Sequence, residues 1–224
     1  MKPRIKLADT KTADGGILSL FEQDGDYSIS FDGQELMHSR LNASEKLLGE
    51  LGLARLKMQS IERVLVGGLG LGFTLQRVLS TIRRDCQIDL VELLPDVIDW
   101  NRNHLSKLNG YLLKDSRVKA IAQDVIQTIR DAEPEKYDAI ILDVDNGPIA
   151  MVSPGNDSLY SQAGLSELFR ALRPGGRVVV WSAGPDKGFE KRLIRAGFEM
   201  TSVPAKSHVS AKRTAYLIYV ADKT

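Results

Sequence analysis

The chain has 224 residues, of which 43% are hydrophobic and 26% are charged, as expected for one globular domain with a small appendage. Its formal net charge of +1 gives no electrostatic reason to expect binding to nucleic acid or to a membrane surface. The single cysteine, Cys86, excludes an internal disulfide and a multi-cysteine metal site, and we expect a buried thiol. No apolar run approaches the ~20 residues that cross a bilayer and no signal-peptide core is present, so we expect a cytoplasmic protein.

The N-terminal part of the sequence predicts a small β-structure. Residues 1–14 are polar and charged, and we expect them to form a loose tail. Over residues 15–37 apolar and polar side chains alternate, and two Asp-Gly pairs mark turns, which predicts a meander of about three strands. Residues 1–40 are therefore expected to form a β appendage, and residues 41–224 the main domain.

In the main domain, strand and helix patterns alternate. A helix is predicted over 42–56, with Asn42 or Ser44 as its cap. The predicted strands then cover residues 64–66, 86–92, 118–122, 137–143 and 177–181, and the predicted helices cover 74–79, 95–100, 125–129, 161–172 and 188–196. This alternation indicates a doubly wound, mostly parallel, Rossmann-like sheet covered on both faces. Residues 198–203 and 214–220 add antiparallel C-terminal strands.

A glycine-rich turn joins the first of these strands to its helix. After the apolar residues 64–66, glycines stand at positions 67, 68, 70 and 72, and a helical pattern begins at Thr74. Glycines permit positive φ angles and let the backbone approach a ligand, and the N–H groups at the start of the helix then face that ligand. We therefore expect Gly68, Gly70 and Gly72 to contact a nucleotide-like molecule.

Acidic residues follow the next three predicted strands. Because ligands of open parallel sheets bind at the carboxyl ends of the strands, these acids are expected around the same site. Glu92, about 20 residues beyond the glycine turn, is placed to accept hydrogen bonds from ribose hydroxyls. Asp124 is placed to accept from an adenine amino group, and Asp143 and Asp145 follow the fourth strand. Each acid also suits a helix cap or a turn.

Other features narrow the choice of nucleoside. Phe73 occupies the third glycine position of a dinucleotide fingerprint, which argues against a nicotinamide or flavin cofactor. The C-terminal strand-loop-strand pattern resembles the end of the class I methyltransferase-like fold, although Val66 stands where methyltransferases usually carry an acid. No His, Cys and Asp cluster has the spacing of a metal site. Trp181, at the end of the fifth predicted strand, is expected to pack in the core.

From the β appendage through Trp181, the chain resembles the spermidine synthase family, the polyamine aminopropyltransferases. The resemblance lies in residues 64–72, 91–92, 123–124, 137–143, 147–148, 159–160 and 172–176. It implies a transferase that binds decarboxylated S-adenosylmethionine and transfers its aminopropyl group to putrescine or a related amine. By position, Glu92 would hold the ribose, Asp124 the adenine side, and Asp143 would be the catalytic acid. The resemblance also implies a homodimer.

The expected chemistry suits a carboxylate. An amine with a pKa near ~10.4 is mostly protonated at neutral pH, and it attacks a sulfonium carbon only after losing a proton. A carboxylate within hydrogen-bond reach attracts the ammonium group, orients it and takes the proton. Asp143 and Asp145 would supply the anchor and the base.

The chain also departs from the family pattern. Leu71 replaces an acid of the glycine turn, residues 37–40 replace an acidic and aromatic segment, Gly164 replaces a tyrosine, and the turn after Asp143 is shortened. The departures leave two alternatives open. One is a methyltransferase that uses intact S-adenosylmethionine, with Asp143 or His38 near the acceptor and Arg40 favouring a ligand that carries a carboxylate. The other is a non-catalytic nucleoside-binding relative.

Overall fold

A computed structural model of the chain describes residues 2–55, 62–144 and 156–224. The N-terminal sheet contains four antiparallel strands that pair in chain order. They are β1 (Ile5–Lys11), β2 (Ile17–Gln23), β3 (Asp26–Phe31) and β4 (Gln34–His38). Both predicted Asp-Gly pairs form two-residue turns with positive φ at both positions, at 53° and 86° for Asp24 and Gly25 and at 47° and 83° for Asp32 and Gly33. These angles match the twist of a β-hairpin.

The prediction of a loose tail over residues 1–14 is wrong. Residues 5–11 pair with β2, so the appendage has four strands where we expected about three. The cause is that β1 lies at the edge of the sheet, where Lys6, Asp9 and Lys11 are exposed to solvent. Charged side chains are common on edge strands because they discourage pairing with other chains, and here they disguise the strand in the sequence.

The second sheet has seven strands in the order β10-β11-β9-β8-β5-β6-β7. These strands are β5 (Arg63–Gly67), β6 (Gln87–Glu92), β7 (Val118–Ala122), β8 (Tyr137–Leu142), β9 (Leu172–Ser182), β10 (Glu199–Ala205) and β11 (Tyr216–Asp222). Strands β5 to β9 are parallel, and β10 and β11 are antiparallel, as predicted. The chain runs outward from β5 through β6 to β7 and then returns to the other side of β5 with β8. This reversal places the topological switch point between β5 and β8.

Helices cover both faces of the second sheet. They are α1 (Ala43–Ala54), α2 (Phe73–Thr81), α3 (Pro95–Asn103), α4 (Ser106–Asn109), α5 (Val125–Arg130), α6 (Asn156–Leu159), α7 (Gln162–Ala171) and α8 (Lys187–Arg195), with a 3-10 turn at Leu112–Lys114. Val64 and Val66 pack on the face that also contacts the N-terminal sheet, whereas Leu65 packs on the opposite face. Cys86 is fully buried, as predicted. The doubly wound fold is therefore confirmed.

Two regions have a secondary structure other than the one predicted. Residues 173–176 were expected only to end a helix, but they belong to the beginning of β9. Their backbone is paired there, because the Gly175 N–H donates to Lys223 O and the Lys223 N–H donates to Gly176 O. Part of the predicted loop over 149–158 forms the single turn α6, and residues 149–155 lie outside the described ranges. None of the helices within those ranges is long and apolar enough to cross a membrane.

Candidate functional site

A cavity of about 330 Å³ opens at the carboxyl ends of β5, β6, β7 and β8, beside the switch point. Five of the residues predicted from the sequence line it: Gly68, Gly70, Glu92, Asp124 and Asp143. The N-terminal sheet closes the opposite wall with apolar side chains, so the appendage forms part of the site. We call this space the first cavity. The residues that line it include those that follow β5, β6, β7 and β8, which the strand order predicts to lie close together.

The glycine turn adopts a conformation that side chains rarely tolerate. Gly68 has a φ of +88°, and a β-carbon placed there would lie 2.1 Å from the carbonyl oxygen of Asp143. The turn therefore packs directly against the backbone that follows β8. Gly72, with a φ of +87°, approaches the side chain of Asn109 and does not line the first cavity. Packing at the start of α2 therefore requires a glycine at position 72.

The carboxylate of Glu92 is fixed by the backbone on both sides. Its Oε2 accepts a hydrogen bond from the Leu69 N–H at 2.9 Å, and its Oε1 accepts one from the Leu94 N–H at 3.0 Å. Glu92 lines the first cavity with its carboxylate held in place by these two bonds. A side chain held in one orientation before binding loses little conformational freedom when a ligand arrives.

Asp124 caps a helix, which is one of the two roles that the sequence left open for it. It is the N-cap of α5, and its Oδ1 accepts from the Ile126 N–H at 2.9 Å. The same residue lines the first cavity beside Gln123. The cap holds the carboxylate at the strand end, and the remaining lone pairs are available to a ligand donor.

Asp143 lines the first cavity directly after β8. Its backbone N–H donates to Gly67 O at 2.8 Å, and its Oδ2 accepts from the Thr74 hydroxyl at 2.5 Å. Asp145, the other predicted catalytic acid, lies outside the described residues, as do residues 146–148 of the same turn.

A second cavity of about 230 Å³ adjoins the first. The residues that line both cavities are Leu36, Met37, Leu69, Gly70 and Asp143. The second cavity has an aromatic wall, because the rings of Trp181 and Tyr216 are in contact, with centroids 4.8 Å apart and planes inclined by 45°, and Phe73 also lines the cavity. A molecule in one cavity can thus meet a molecule in the other beside the carboxylate of Asp143.

Glu45, in the first turn of α1, lines the second cavity and was not identified from the sequence. Burial, and then the negative charge of Asp143, raise the pKa of the Glu45 carboxyl group to about 7. Burial and the charge of Glu45 also raise the pKa of Tyr216. An acid in the first turn of a helix ordinarily interacts favourably with the helix dipole. The sequence therefore carries no signal that distinguishes Glu45 from acids with that ordinary role.

Of three other residues that the sequence suggested for the site or the core, two line the second cavity. His38 lines the second cavity. Arg40 is absent from the lining of both cavities, and its guanidinium pairs with Asp26 on the surface of the N-terminal sheet, so it is not positioned to hold a ligand carboxylate there. Trp181 packs against the core, as predicted, but it also lines the second cavity. Its indole N–H is buried, and no acceptor for it exists among the described residues.

A doubly wound sheet with a cavity at its switch point defines a Rossmann-like α/β domain, a class of fold in which ligands bind at the carboxyl ends of the strands. Residues 42–195 match the spermine/spermidine synthase domain, and the chain therefore belongs to the spermine/spermidine synthase family. The family expected from the sequence is thus confirmed.

Individual relatives agree with this assignment. The chain is 32% identical over 159 residues to a polyamine aminopropyltransferase from Korarchaeum cryptofilum, covering 69% of this chain and 47% of the relative. It is 36% identical over 119 residues to putrescine N-methyltransferase 2 from Nicotiana tabacum, covering 52% of this chain and 31% of the relative. The chain thus spans about half, or less, of the length of these relatives. A crystal structure of spermidine synthase from Thermotoga maritima has a similar fold, with a TM-score of 0.76 at 19% identity, over 98% of this chain and 73% of the other.

Proposed function

We propose that this chain transfers an aminopropyl group from decarboxylated S-adenosylmethionine, bound in the first cavity, to an amine bound in the second. The observation that carries the proposal is the pair of adjoining cavities that share Asp143. One cavity has the acids expected around a nucleoside, and the other has acidic and aromatic residues suited to an alkyl amine.

The first cavity supports the donor half of the proposal. Its volume of about 330 Å³ is within the range of small-molecule sites. In this proposal Glu92 accepts from the ribose hydroxyls while the Leu69 and Leu94 N–H groups hold it in place. Asp124 accepts from the adenine amino group, and Gly68 and Gly70 let the backbone lie against the sugar.

The position of Asp143 supports the transfer step. The attacking amine loses a proton to the Asp143 carboxylate, and its nitrogen forms a bond to the aminopropyl carbon attached to sulfur. The carbon–sulfur bond breaks, its electron pair stays on sulfur, and 5′-methylthioadenosine leaves. The Thr74 hydroxyl, which donates to Asp143 Oδ2 at 2.5 Å, holds the carboxylate in one orientation at the boundary between the cavities.

A second candidate is methyl transfer from intact S-adenosylmethionine to an amine. Leu71 favours it, because a buried leucine, 4% exposed, stands where the family carries an acid for the aminopropyl ammonium. The tobacco relative, whose name describes a putrescine N-methyltransferase, also supports it. The two reactions share the nucleoside site and Asp143 and differ in which carbon on sulfur faces the acceptor.

Titration calorimetry with the two donors tests the proposal. We expect decarboxylated S-adenosylmethionine to bind at least tenfold more tightly than the intact form, and incubation with 1,4-diaminobutane to give a product that is heavier by one aminopropyl unit. A preference for the intact form, with a product heavier by one methyl group, would establish the second candidate. Tight binding of 5′-methylthioadenosine with no product from either donor would contradict both reactions.

A further inference from the structure

The second cavity has an unusual balance of charge. Its lining includes three carboxylates and, among the described residues, neither lysine nor arginine. The ionisable groups that face or adjoin Glu45 are Asp143 beyond β8, Lys46 on the same helix, Tyr216 on β11, and Glu35 and His38 on β4. Lys46 is exposed, and its ammonium lies 5.4 Å from the centre of the Phe73 ring. The lining therefore offers negative charge to a ligand.

Glu45 and Asp143 are the two acids that affect each other. Each lies partly out of solvent, so the full charge of both would be costly in such a small space. The hydroxyl of Ser44 donates to Glu45 Oε2 at 2.5 Å, which keeps the carboxyl group in place. Burial first, and then repulsion from Asp143, raise the pKa of Glu45, and a ligand cation between the two acids would oppose both effects by favouring the carboxylate.

Leu71 lines the same cavity and lacks the charge that an acid would bring to the glycine turn. Glu45, on α1, lines this cavity as well and supplies a carboxylate there. The aromatic wall of Trp181 and Tyr216 adds a surface for alkyl carbons. The cavity thus combines an acidic end with an apolar wall.

Resting on the proposed amine transfer, we propose that Glu45 is the specificity residue of the second cavity: beside Asp143, it receives an ammonium group of a protonated alkyl amine. The site then selects cationic amines over neutral acceptors of the same shape. A consequence follows for protons. At pH 7 the Glu45 carboxyl group is about half protonated when no amine is bound, because its pKa is about 7, and the ammonium group displaces that proton. Amine binding therefore releases about half a proton per site from Glu45 to the buffer.

The experiment is titration calorimetry with 1,4-diaminobutane at pH 7, in the presence of saturating 5′-methylthioadenosine. Repeating it in phosphate and in Tris gives the number of protons exchanged, because the two buffers have different enthalpies of ionisation. For the unmodified chain we expect release of about half a proton per site, since Glu45 is about half protonated near its pKa of about 7. We also expect 1,4-diaminobutane to bind at least tenfold more tightly than 1,4-butanediol.

Glu45→Gln should weaken binding of 1,4-diaminobutane by roughly ten- to a hundredfold and abolish the proton release, because the amide carries neither charge nor titrating group. Glu45→Asp should restore part of both. The matched control is Glu50→Gln on the same helix, whose carboxylate accepts from Arg77 at 3.0 Å and is absent from the cavity lining. It should leave both quantities unchanged.

The outcomes separate the two proposals. If the unmodified chain binds the diamine and Glu45→Gln binds it equally well with the same proton exchange, the role of Glu45 is wrong and amine transfer stands. If the unmodified chain binds 5′-methylthioadenosine but not the diamine, amine transfer itself is overturned, together with the role of Glu45. Affinity for 5′-methylthioadenosine alone should be the same in all variants, which shows that they are folded.

Discussion

Replacing Gly68 with alanine tests how strongly the glycine turn depends on its close approach to β8. The new β-carbon would lie 2.1 Å from the Asp143 carbonyl oxygen and 2.8 Å from its carbonyl carbon. Both are backbone atoms, so no side chain can rotate away to make room. The backbone after β8, which carries the Asp143 carboxylate, would have to move.

The expected cost has two parts. An alanine held at a φ of +88° costs about 1–2 kcal/mol of conformational strain. Forcing a methyl group into a packed position adds about 1–3 kcal/mol. We therefore expect the free energy of unfolding of Gly68→Ala to fall by about 2–5 kcal/mol.

Gly25→Ala is the matched control, because its φ is +86° and no atom lies within 4 Å of its added β-carbon. It should show only the conformational part, about 1–2 kcal/mol. The measurement is urea unfolding of each variant, with the free energy extrapolated linearly to water and the slope checked for constancy. If Gly68→Ala proved as stable as Gly25→Ala, the glycine turn would not be locked against the backbone of Asp143.

Three further predictions concern the carboxylates of the site. Asp143→Asn should lower the rate of transfer by at least about a hundredfold, because the amide accepts no proton, while calorimetry should show nearly unchanged affinity for 5′-methylthioadenosine; full activity would rule out Asp143 as the base. Glu92→Ala should weaken binding of 5′-methylthioadenosine by about 1–3 kcal/mol in the same assay, and an unchanged affinity would argue against its contact with the ribose. For Glu45, the pKa of about 7 in the folded chain exceeds the ordinary value of 4.5, so between these pH values the folded chain binds more protons than the unfolded chain. The free energy of unfolding therefore falls as pH rises from about 4.5 to about 7. Urea unfolding across that pH range should show a shallower decline for Glu45→Gln, and parallel curves would contradict the raised pKa.

The lining of the first cavity was largely predictable from the sequence. Each of its acids follows a buried strand, and parallel strands bring their carboxyl ends to one edge of the sheet. Knowing that Glu92 and Asp124 end or follow strands was therefore enough to expect them in one cavity. The sequence did not distinguish capping from ligand contact for Asp124, because both roles use the same residue type at the same position.

The second cavity, the proposed acceptor site, depends on contacts between distant segments. Glu45 lies in a helix nearly a hundred residues before Asp143, and its raised pKa results from their proximity and from burial. The rings of Trp181 and Tyr216 are in contact because β9 and β11 pair as antiparallel neighbours. Arg40, by contrast, lies outside both cavity linings. Its guanidinium pairs with Asp26, which lies on strand β3 of the N-terminal sheet.

By itself, the sequence determined the alternating strands and helices, the glycine turn and the acids at the strand ends, because these follow from local periodicity and backbone preference. Only the tertiary structure decided that the N-terminal sheet closes the site, that two cavities meet at Asp143, and that Glu45 shares one of them. Those features arise from long-range packing and from the electrostatics of burial, which depend on the distances between residues far apart in the chain.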